Sequence, residues 1–167
     1  MIHQNHFLAL KTILSSFIGK NIKWAFVGSF NLALQGVDVE PQDIDIITDS
    51  DGALLMNELL KEFVVTPVKY RSDEKYDAYQ GIFMIAGAEV EILGQLHNKN
   101  PYGDLWTETN SLSAIKMMNY RGLKVPVIAL EQEAHAYTKL GKPEKAQLIK
   151  DFLEHNPDKR EDKAKGK

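Results

Sequence analysis

The chain has 167 residues, of which 44% are hydrophobic and 26% charged, as in an ordinary globular protein. Its formal net charge of −3 argues against the basic surface of a general nucleic-acid binder and favours a small or mobile substrate. Cysteine is absent, which excludes disulfides, thiolate metal sites and a cysteine nucleophile and suits a reducing cytoplasm.

The length predicts one domain over residues 1–155. Residues 156–167 are poor in apolar side chains and rich in charge, which predicts a flexible C-terminal tail. Residues 7–18 carry apolar side chains at helical spacing and predict an amphipathic helix on the core. Because this segment has neither a basic leader nor a long apolar run, we expect a cytoplasmic protein without a membrane anchor.

A strand and a short helix are predicted next along the chain. Residues 22–27 have the composition of a buried strand, which runs directly into the pair Gly28-Ser29. Residues 29–35 suit a short helix. The backbone N–H groups at such a helix start attract phosphate, so we expect a phosphate-binding bend here.

The chain then alternates between strands and helices. A second strand is predicted at 43–48, a helix at 54–62 and a further strand at 64–70. Pro67 lies inside the last of these strands and indicates an edge position or a bend.

Two hairpins and two helices are predicted in the second half. The first hairpin joins residues 79–85 to 89–93, and the second joins 115–120 to 124–128. Helices are predicted at 130–140 and 144–155, with Pro143 in the first turn of the latter.

Between the two hairpins the periodic pattern disappears, and residues 94–111 predict a long functional loop. Tyr102 and Trp106 lie in this segment. They either stack on a base or acceptor, or anchor the loop to the core.

The most informative motif is Asp43-Ile44-Asp45-Ile46, which follows Gly28-Ser29 after 13 residues. Alternate residues of a strand share one face, so both carboxylates lie on the same side, about 6.5–7 Å apart along the backbone. Carboxylate oxygens are the ligands that Mg²⁺ prefers. A phosphate-binding bend beside a pair of metal-binding acids is what nucleotidyl transfer from a triphosphate requires.

That chemistry predicts a third acid on a neighbouring strand, to orient or deprotonate an acceptor hydroxyl. Glu89 and Glu91 share one face of the strand predicted at 89–93, and either could be the partner. We favour Glu91, because apolar residues flank it on both sides as they flank Asp45, whereas Glu89 stands next to the turn.

Together, Val27-Gly28-Ser29, Asp43-Ile44-Asp45-Ile46 and Val90-Glu91-Ile92 resemble the signature of the nucleotidyltransferase superfamily with a DNA polymerase β-type palm. The small members similar to lincosamide and aminoglycoside nucleotidyltransferases, and to minimal nucleotidyltransferases of toxin–antitoxin pairs, fit best. The resemblance implies an α+β fold with a mixed, twisted β-sheet flanked by helices.

The resemblance also implies roles for individual residues. Gly28 and Ser29 would hold the β- and γ-phosphates of an NTP. Asp43, Asp45 and Glu91 would form an acidic triad that binds two Mg²⁺ ions. A C-terminal lysine would reach the nucleotide, and we assign this role to Lys139.

Two departures from the superfamily pattern are visible. Pro41 stands where relatives carry Ser or Thr, and Ala146 stands where an Asp is expected after a lysine. Lys142 and Lys145, like Lys139, could equally form an exposed helix face.

We therefore expect a Mg²⁺-dependent enzyme that transfers NMP, with AMP favoured, to a hydroxyl of a small molecule or a partner protein. The alternatives are a catalytically inactive nucleotide-binding or protein-interaction module, and a toxin–antitoxin nucleotidyltransferase. A homodimer or a small helical partner protein is compatible with each, and general nucleic-acid binding is not expected.

Overall fold

The computed structural model describes residues 1–99, 106–108 and 110–160, with only the backbone given for 106–108, 110 and 111. Tyr102, the side chain of Trp106 and residues 161–167 of the predicted tail lie outside this description.

The helices are α1 (Gln4–Phe17), α2 (Gly28–Leu34), α3 (Ser50–Leu59), α4 (Leu130–Lys139) and α5 (Pro143–His155). The strands are β1 (Trp24–Val27), β2 (Ile44–Thr48), β3 (Val64–Ser72), β4 (Tyr76–Ile85), β5 (Ala88–Lys99), β6 (Trp106–Glu108), β7 (Ile115–Tyr120) and β8 (Leu123–Ile128). Short 3₁₀ turns lie at Lys61–Phe63, Asn110–Ala114 and Pro157–Lys159.

The strands form one mixed sheet in the order β3-β4-β5-β2-β1-β8-β7, and β6 pairs with β5 beside this path. The central strand β2 is antiparallel to β1 and parallel to β5, and β1 is parallel to β8. This arrangement confirms the α+β fold with a mixed sheet and flanking helices.

Strand alternation gives the sheet two faces with different contents. On one face Phe26, Ile46 and Ile92 pack with residues of α1 and α3 in the main core. On the other face Ala25, Ile47, Leu93 and Ile128 form a smaller apolar cluster. Asp45 and Glu91 alternate with the main-core residues and therefore belong to the second face.

Several local predictions are confirmed. The strand that contains Pro67 is an edge strand, and one of its two register shifts, between Thr66 and Lys69, spans the proline. The second hairpin turns at Arg121 (φ 50°) and Gly122 (φ 82°), two left-handed residues that suit a tight hairpin turn. Pro143 is the first residue of α5.

The prediction of a loop over residues 94–111 is wrong for 94–99 and 106–108. β5 continues to Lys99, pairs with the start of β4 and also with β6. At His97 and Asn98 the strands β4 and β6 pair with β5 from both sides, so this polar stretch needs no alternation of apolar residues to be a strand.

Gly94 contributed to the loop prediction, and its actual role is packing. A Cβ on Gly94 would lie 2.6 Å from the Cβ of Ala53 and 2.7 Å from the carbonyl oxygen of Asp49. The glycine therefore permits α3 to approach the strand closely.

No helix in the described ranges 1–99 and 110–160 is long and apolar enough to span a bilayer.

Candidate active site

The acidic residues converge at the centre of the sheet. Asp45 of β2 is in register with Val27 of β1 on one side and with Glu91 of β5 on the other. Residues in register on adjacent strands project from the same face, so the Asp45 and Glu91 side chains stand side by side. Asp43 lies two residues earlier, directly before β2, and all three acids are partly buried. Glu89 is exposed.

The pKa of Asp45 is strongly raised. Its pKa is raised from 3.8 to about 8, mainly by burial and then by the negative charges of Asp43, Glu91, Glu133 and Glu89, in that order. A carboxylate surrounded by other carboxylates is stabilised in its charged form when a cation binds among them.

Glu91 is oriented from β4. The Tyr76 hydroxyl donates a hydrogen bond to Glu91 Oε1 at 3.2 Å, and the Gln80 amide donates to the Tyr76 hydroxyl at 3.0 Å. Burial raises the pKa of Glu91, and hydrogen bonds from Tyr76 and Gln80 oppose that shift. The Tyr76 pKa is also raised, mainly by burial and then by the Glu91 charge, so Tyr76 remains a hydrogen-bond donor.

Gly28 forms the bend between β1 and α2, directly against Asp45. Its φ of +71° lies in the left-handed region, and a Cβ at this position would stand 2.8 Å from Asp45 Oδ2. Both the backbone conformation and the close approach require glycine. Ser29 follows and is partly exposed.

Glu133 of α4 is a site residue that sequence reasoning missed. It is 5% exposed, and its Oε1 accepts hydrogen bonds from the Gly28 N–H at 2.9 Å and from the Asn31 amide at 2.7 Å. The pKa of Glu133 is raised to about 7, because burial outweighs the lowering by the bonds from Asn31 and Gly28 and by the charge of Lys145. The available signal was a glutamate on the apolar stripe of α4 formed by Leu130, Ala134 and Tyr137.

The sequence profile of the aminoglycoside-2''-adenylyltransferase family matches residues 9–154, which is most of the chain. The chain belongs to this family. No functionally curated protein matches it.

Solved structures agree with that assignment. A candidate nucleotidyltransferase from Thermotoga maritima is 34% identical, with a TM-score of 0.78 over 93% of this chain and 97% of that one. The chain is therefore a nucleotidyltransferase of the adenylyltransferase family.

Two more distant structures share the fold. The antibiotic-resistance factor ANT(2'')-Ia is 12% identical, with a TM-score of 0.55 over 90% of this chain and 84% of that one. The lincosamide antibiotic adenylyltransferase LnuA, solved with lincomycin bound, is 15% identical, with a TM-score of 0.52 over 84% and 96%.

The three lysines considered for the nucleotide differ in position within this family member. Lys139 is exposed in the last turn of α4. It follows Tyr137 by two residues, which places it about 200° around the helix from that buried side chain. Lys142 is exposed directly before α5. Lys145 instead places its ammonium 5.3 Å from the centroid of the Tyr137 ring.

Tyr137 interacts both with Lys145 and with the acidic centre, the name used here for Asp43, Asp45 and Glu91. Burial raises the pKa of Tyr137, and the charges of Glu133, Asp45 and Asp43 raise it further in that order. Of the three lysines, Lys145 is therefore the one that the fold brings toward the acids.

The chemistry of the acidic residues suits a hard cation. Asp43, Asp45 and Glu91 supply carboxylate oxygens, the donors that Mg²⁺ prefers, and their mutual repulsion raises the Asp45 pKa. Among the described residues, no three His, Asp or Glu side chains already form a group that could hold a metal ion. Mg²⁺ commonly keeps waters and substrate phosphates in its coordination shell, so these protein ligands fit a metal that arrives with a nucleotide.

Proposed function

We propose that this nucleotidyltransferase uses Mg²⁺ to transfer AMP from ATP to a hydroxyl group of a small molecule. The observation that supports the proposal most directly is the register of Asp45 with Glu91, with Asp43 on the same face and Gly28 against Asp45. We propose transfer of an adenylyl group, rather than another nucleotidyl group, because the family is one of adenylyltransferases.

Asp43, Asp45 and Glu91 would hold two Mg²⁺ ions, which when bound neutralise charge on the attacking and leaving oxygens. Tyr76 fixes one oxygen of Glu91 and leaves the other for a ligand or for the acceptor hydroxyl. The protein's main contributions are alignment of the two substrates and electrostatic stabilisation of the transition state.

The phosphates would be received beside Gly28 and Ser29. The Gly28 N–H already donates to Glu133, so Ser29 is the residue of the bend that we assign to direct phosphate contact. Lys145 takes the role that the sequence suggested for Lys139, because its ammonium lies near Tyr137 and lowers the Glu133 pKa.

The acceptor would lie on the same sheet face as the acids. Val27, Tyr76 and Leu96, which are partly buried and pack against the apolar cluster of that face, provide apolar surface there. Glu89 adds a carboxylate at its edge. This combination suits a hydroxylated molecule with cationic groups. Suitable first acceptors to test are tobramycin, whose adenylylated form is bound in a structure of ANT(2'')-Ia, and lincomycin, which is bound in LnuA.

The decisive experiment incubates the protein with labelled ATP, Mg²⁺ and each acceptor. We expect AMP to appear on the acceptor with release of pyrophosphate. Asp43→Asn should reduce transfer by about 100-fold or more, because it removes a charged ligand from the reaction centre. Asp38→Asn, at an exposed position, is the matched control and should retain full activity.

Retained transfer by Asp43→Asn would remove that residue from the mechanism. Binding of ATP with Mg²⁺, but no transfer to any hydroxyl acceptor, would instead support the non-catalytic nucleotide-binding module.

A further inference from the structure

A buried polar network lies directly behind the acidic centre. Asn31 donates to Glu133 Oε1 and to the carbonyl oxygen of Ile128, at 2.7 and 2.9 Å. Gln35 donates to Asn31 Oδ1 and to the same Ile128 carbonyl, at 2.7 and 2.8 Å. These contacts join α2, α4 and the end of β8 through side chains that are at most 5% exposed.

The network reaches the acidic centre through one backbone atom. Glu133 Oε1 binds the Gly28 N–H, and on the other side Gly28 abuts the carboxylate of Asp45. Gly28 is therefore held between two carboxylates, one of which accepts its hydrogen bond while the other fills the space that a Cβ would need. A shift of Glu133 would displace the bend relative to Asp45.

We propose that Glu133 is a positioning residue for nucleotide binding: it holds the Gly28-Ser29 bend at a fixed distance from Asp45, so that the bend and the acids receive the same triphosphate. This inference rests on the proposed function, because it concerns the geometry of that site. It adds a residue of α4, far away in sequence, to the two motifs that carry the acids and the bend.

A purely structural role explains the arrangement less well. Burying a carboxylate is costly, and structural needs are often met equally well by an uncharged or apolar residue. Here the buried carboxylate is aimed at a backbone amide that borders the reaction centre, and its partner Asn31 is itself held by Gln35. The network is therefore organised to fix the orientation of Glu133.

The test compares Glu133→Ala, Glu133→Gln and the exposed control Glu154→Gln in transfer assays and by NMR. Glu133→Ala removes the acceptor of the Gly28 N–H, and we expect the KM for MgATP to rise by about 10- to 100-fold, with a smaller change in kcat. Glu133→Gln keeps an acceptor oxygen and should recover most of that loss. Glu154→Gln, on the exposed side of α5, should leave both parameters unchanged.

Exchange of the Gly28 amide hydrogen with solvent is a second measurement that needs no activity. We expect exchange to be at least about tenfold faster in Glu133→Ala than in the wild type, and unchanged in Glu154→Gln. If Glu133→Ala does not fold, Glu133→Gln and Asn31→Ser are tested in its place. Asn31→Ser should raise the KM for MgATP and accelerate Gly28 exchange, while Glu133→Gln should stay near the wild type in both.

The two proposals can fail separately. Wild-type protein that transfers no AMP, but whose Gly28 amide is protected by Glu133, would overturn the proposed function and support the positioning of the bend. An active, folded Glu133→Ala with wild-type KM and kcat would overturn the role in nucleotide binding. Unchanged Gly28 exchange in that variant would overturn the positioning itself.

Discussion

At the scale of single residues, the register between β2 and β5 separates the two glutamates that the sequence left as alternatives. Glu91 lies opposite Asp45 and is partly buried, while Glu89 is exposed. We expect Glu91→Gln to reduce AMP transfer by about 100-fold or more, because it removes a charged ligand or base. Glu89→Gln should change it by no more than a few fold. Parallel assays check this, and an inactive Glu89→Gln beside an active Glu91→Gln would contradict it.

The hydrogen bond between Tyr76 and Glu91 makes a prediction about pH dependence. Because this bond lowers the Glu91 pKa, Tyr76→Phe should raise that pKa and move the acid limb of the pH–rate profile to higher pH. At neutral pH we expect a loss of about tenfold or less. Tyr79→Phe is the matched control, because Tyr79 lies on the same strand but packs against the main core. An unshifted acid limb in Tyr76→Phe would show that this hydrogen bond does not tune Glu91.

Residues of the site differed in how well the sequence predicted them. Strand alternation predicted that Asp43 and Asp45 share one face of a strand, and the apolar flanks of Glu91 favoured it over Glu89; the register of β2 with β5 places Glu91 beside Asp45. Glu133 was not predicted: its place on the apolar stripe of α4 indicates a buried acid, but its partner Gly28 is 105 residues away and no local pattern identifies that contact. The proposed preference for Lys145 rests on the rotation of α4 and the turn into α5, which the sequence pattern does not resolve, and the role of Lys139 stays a prediction.

At the scale of secondary-structure elements, Gly94 shows how a glycine can mislead a sequence-based prediction. Gly94→Ala would force its Cβ against Ala53 and the Asp49 carbonyl, and we expect it to lower the free energy of unfolding by about 1–3 kcal/mol. The neighbouring Gln95 has a φ of 53°, so Gln95→Gly should be neutral or stabilising. Denaturant titration of the two variants tests the pair. Equal stability of Gly94→Ala and wild type would show that α3 can move away from β5.

Elements with strong hydrophobic periodicity were predicted to within a few residues, whereas the outer part of β5 and its partner β6 were predicted as a loop. The helices α1, α4 and α5 bury one apolar stripe each. In the second hairpin, the pair Arg121-Gly122 between two strand-like segments predicts the turn. The outer part of β5 has polar, partly exposed side chains and is stabilised by pairing with β4 and β6. Such pairing depends on tertiary context, so the hydrophobic periodicity of the sequence cannot predict it.

At the scale of the whole molecule, the acidic cluster makes stability depend on pH. The Asp45 pKa is about 8 in the folded chain and near 3.8 when unfolded. Between these values the folded chain keeps a proton that the unfolded chain releases, so the contribution of Asp45 to folding stability falls as pH rises. Without Mg²⁺, the melting temperature of Asp45→Asn should therefore be close to that of the wild type at about pH 4. It should exceed the wild-type value by a growing margin toward about pH 8.

Thermal melts in a chelating buffer across this range measure the difference. Asp38→Asn, at an exposed position, is the control variant in these melts. Added Mg²⁺ should stabilise the wild type more than Asp45→Asn, because only the wild type offers the full set of carboxylates. A melting difference that stays constant with pH would mean that Asp45 is not protonated in the folded chain.

The homodimer and the small helical partner protein remain predictions.

The position of the proposed reaction centre on β2 has a consequence for how activity would be gained and lost. Val27, Asp45 and Glu91 come from three strands, and Glu133 joins them from a helix near the other end of the sequence. No contiguous stretch of chain contains this geometry, so a fragment ending before α4 would lack an intact centre. During refolding, turnover should return no earlier than the contact between Glu133 of α4 and the Gly28 bend.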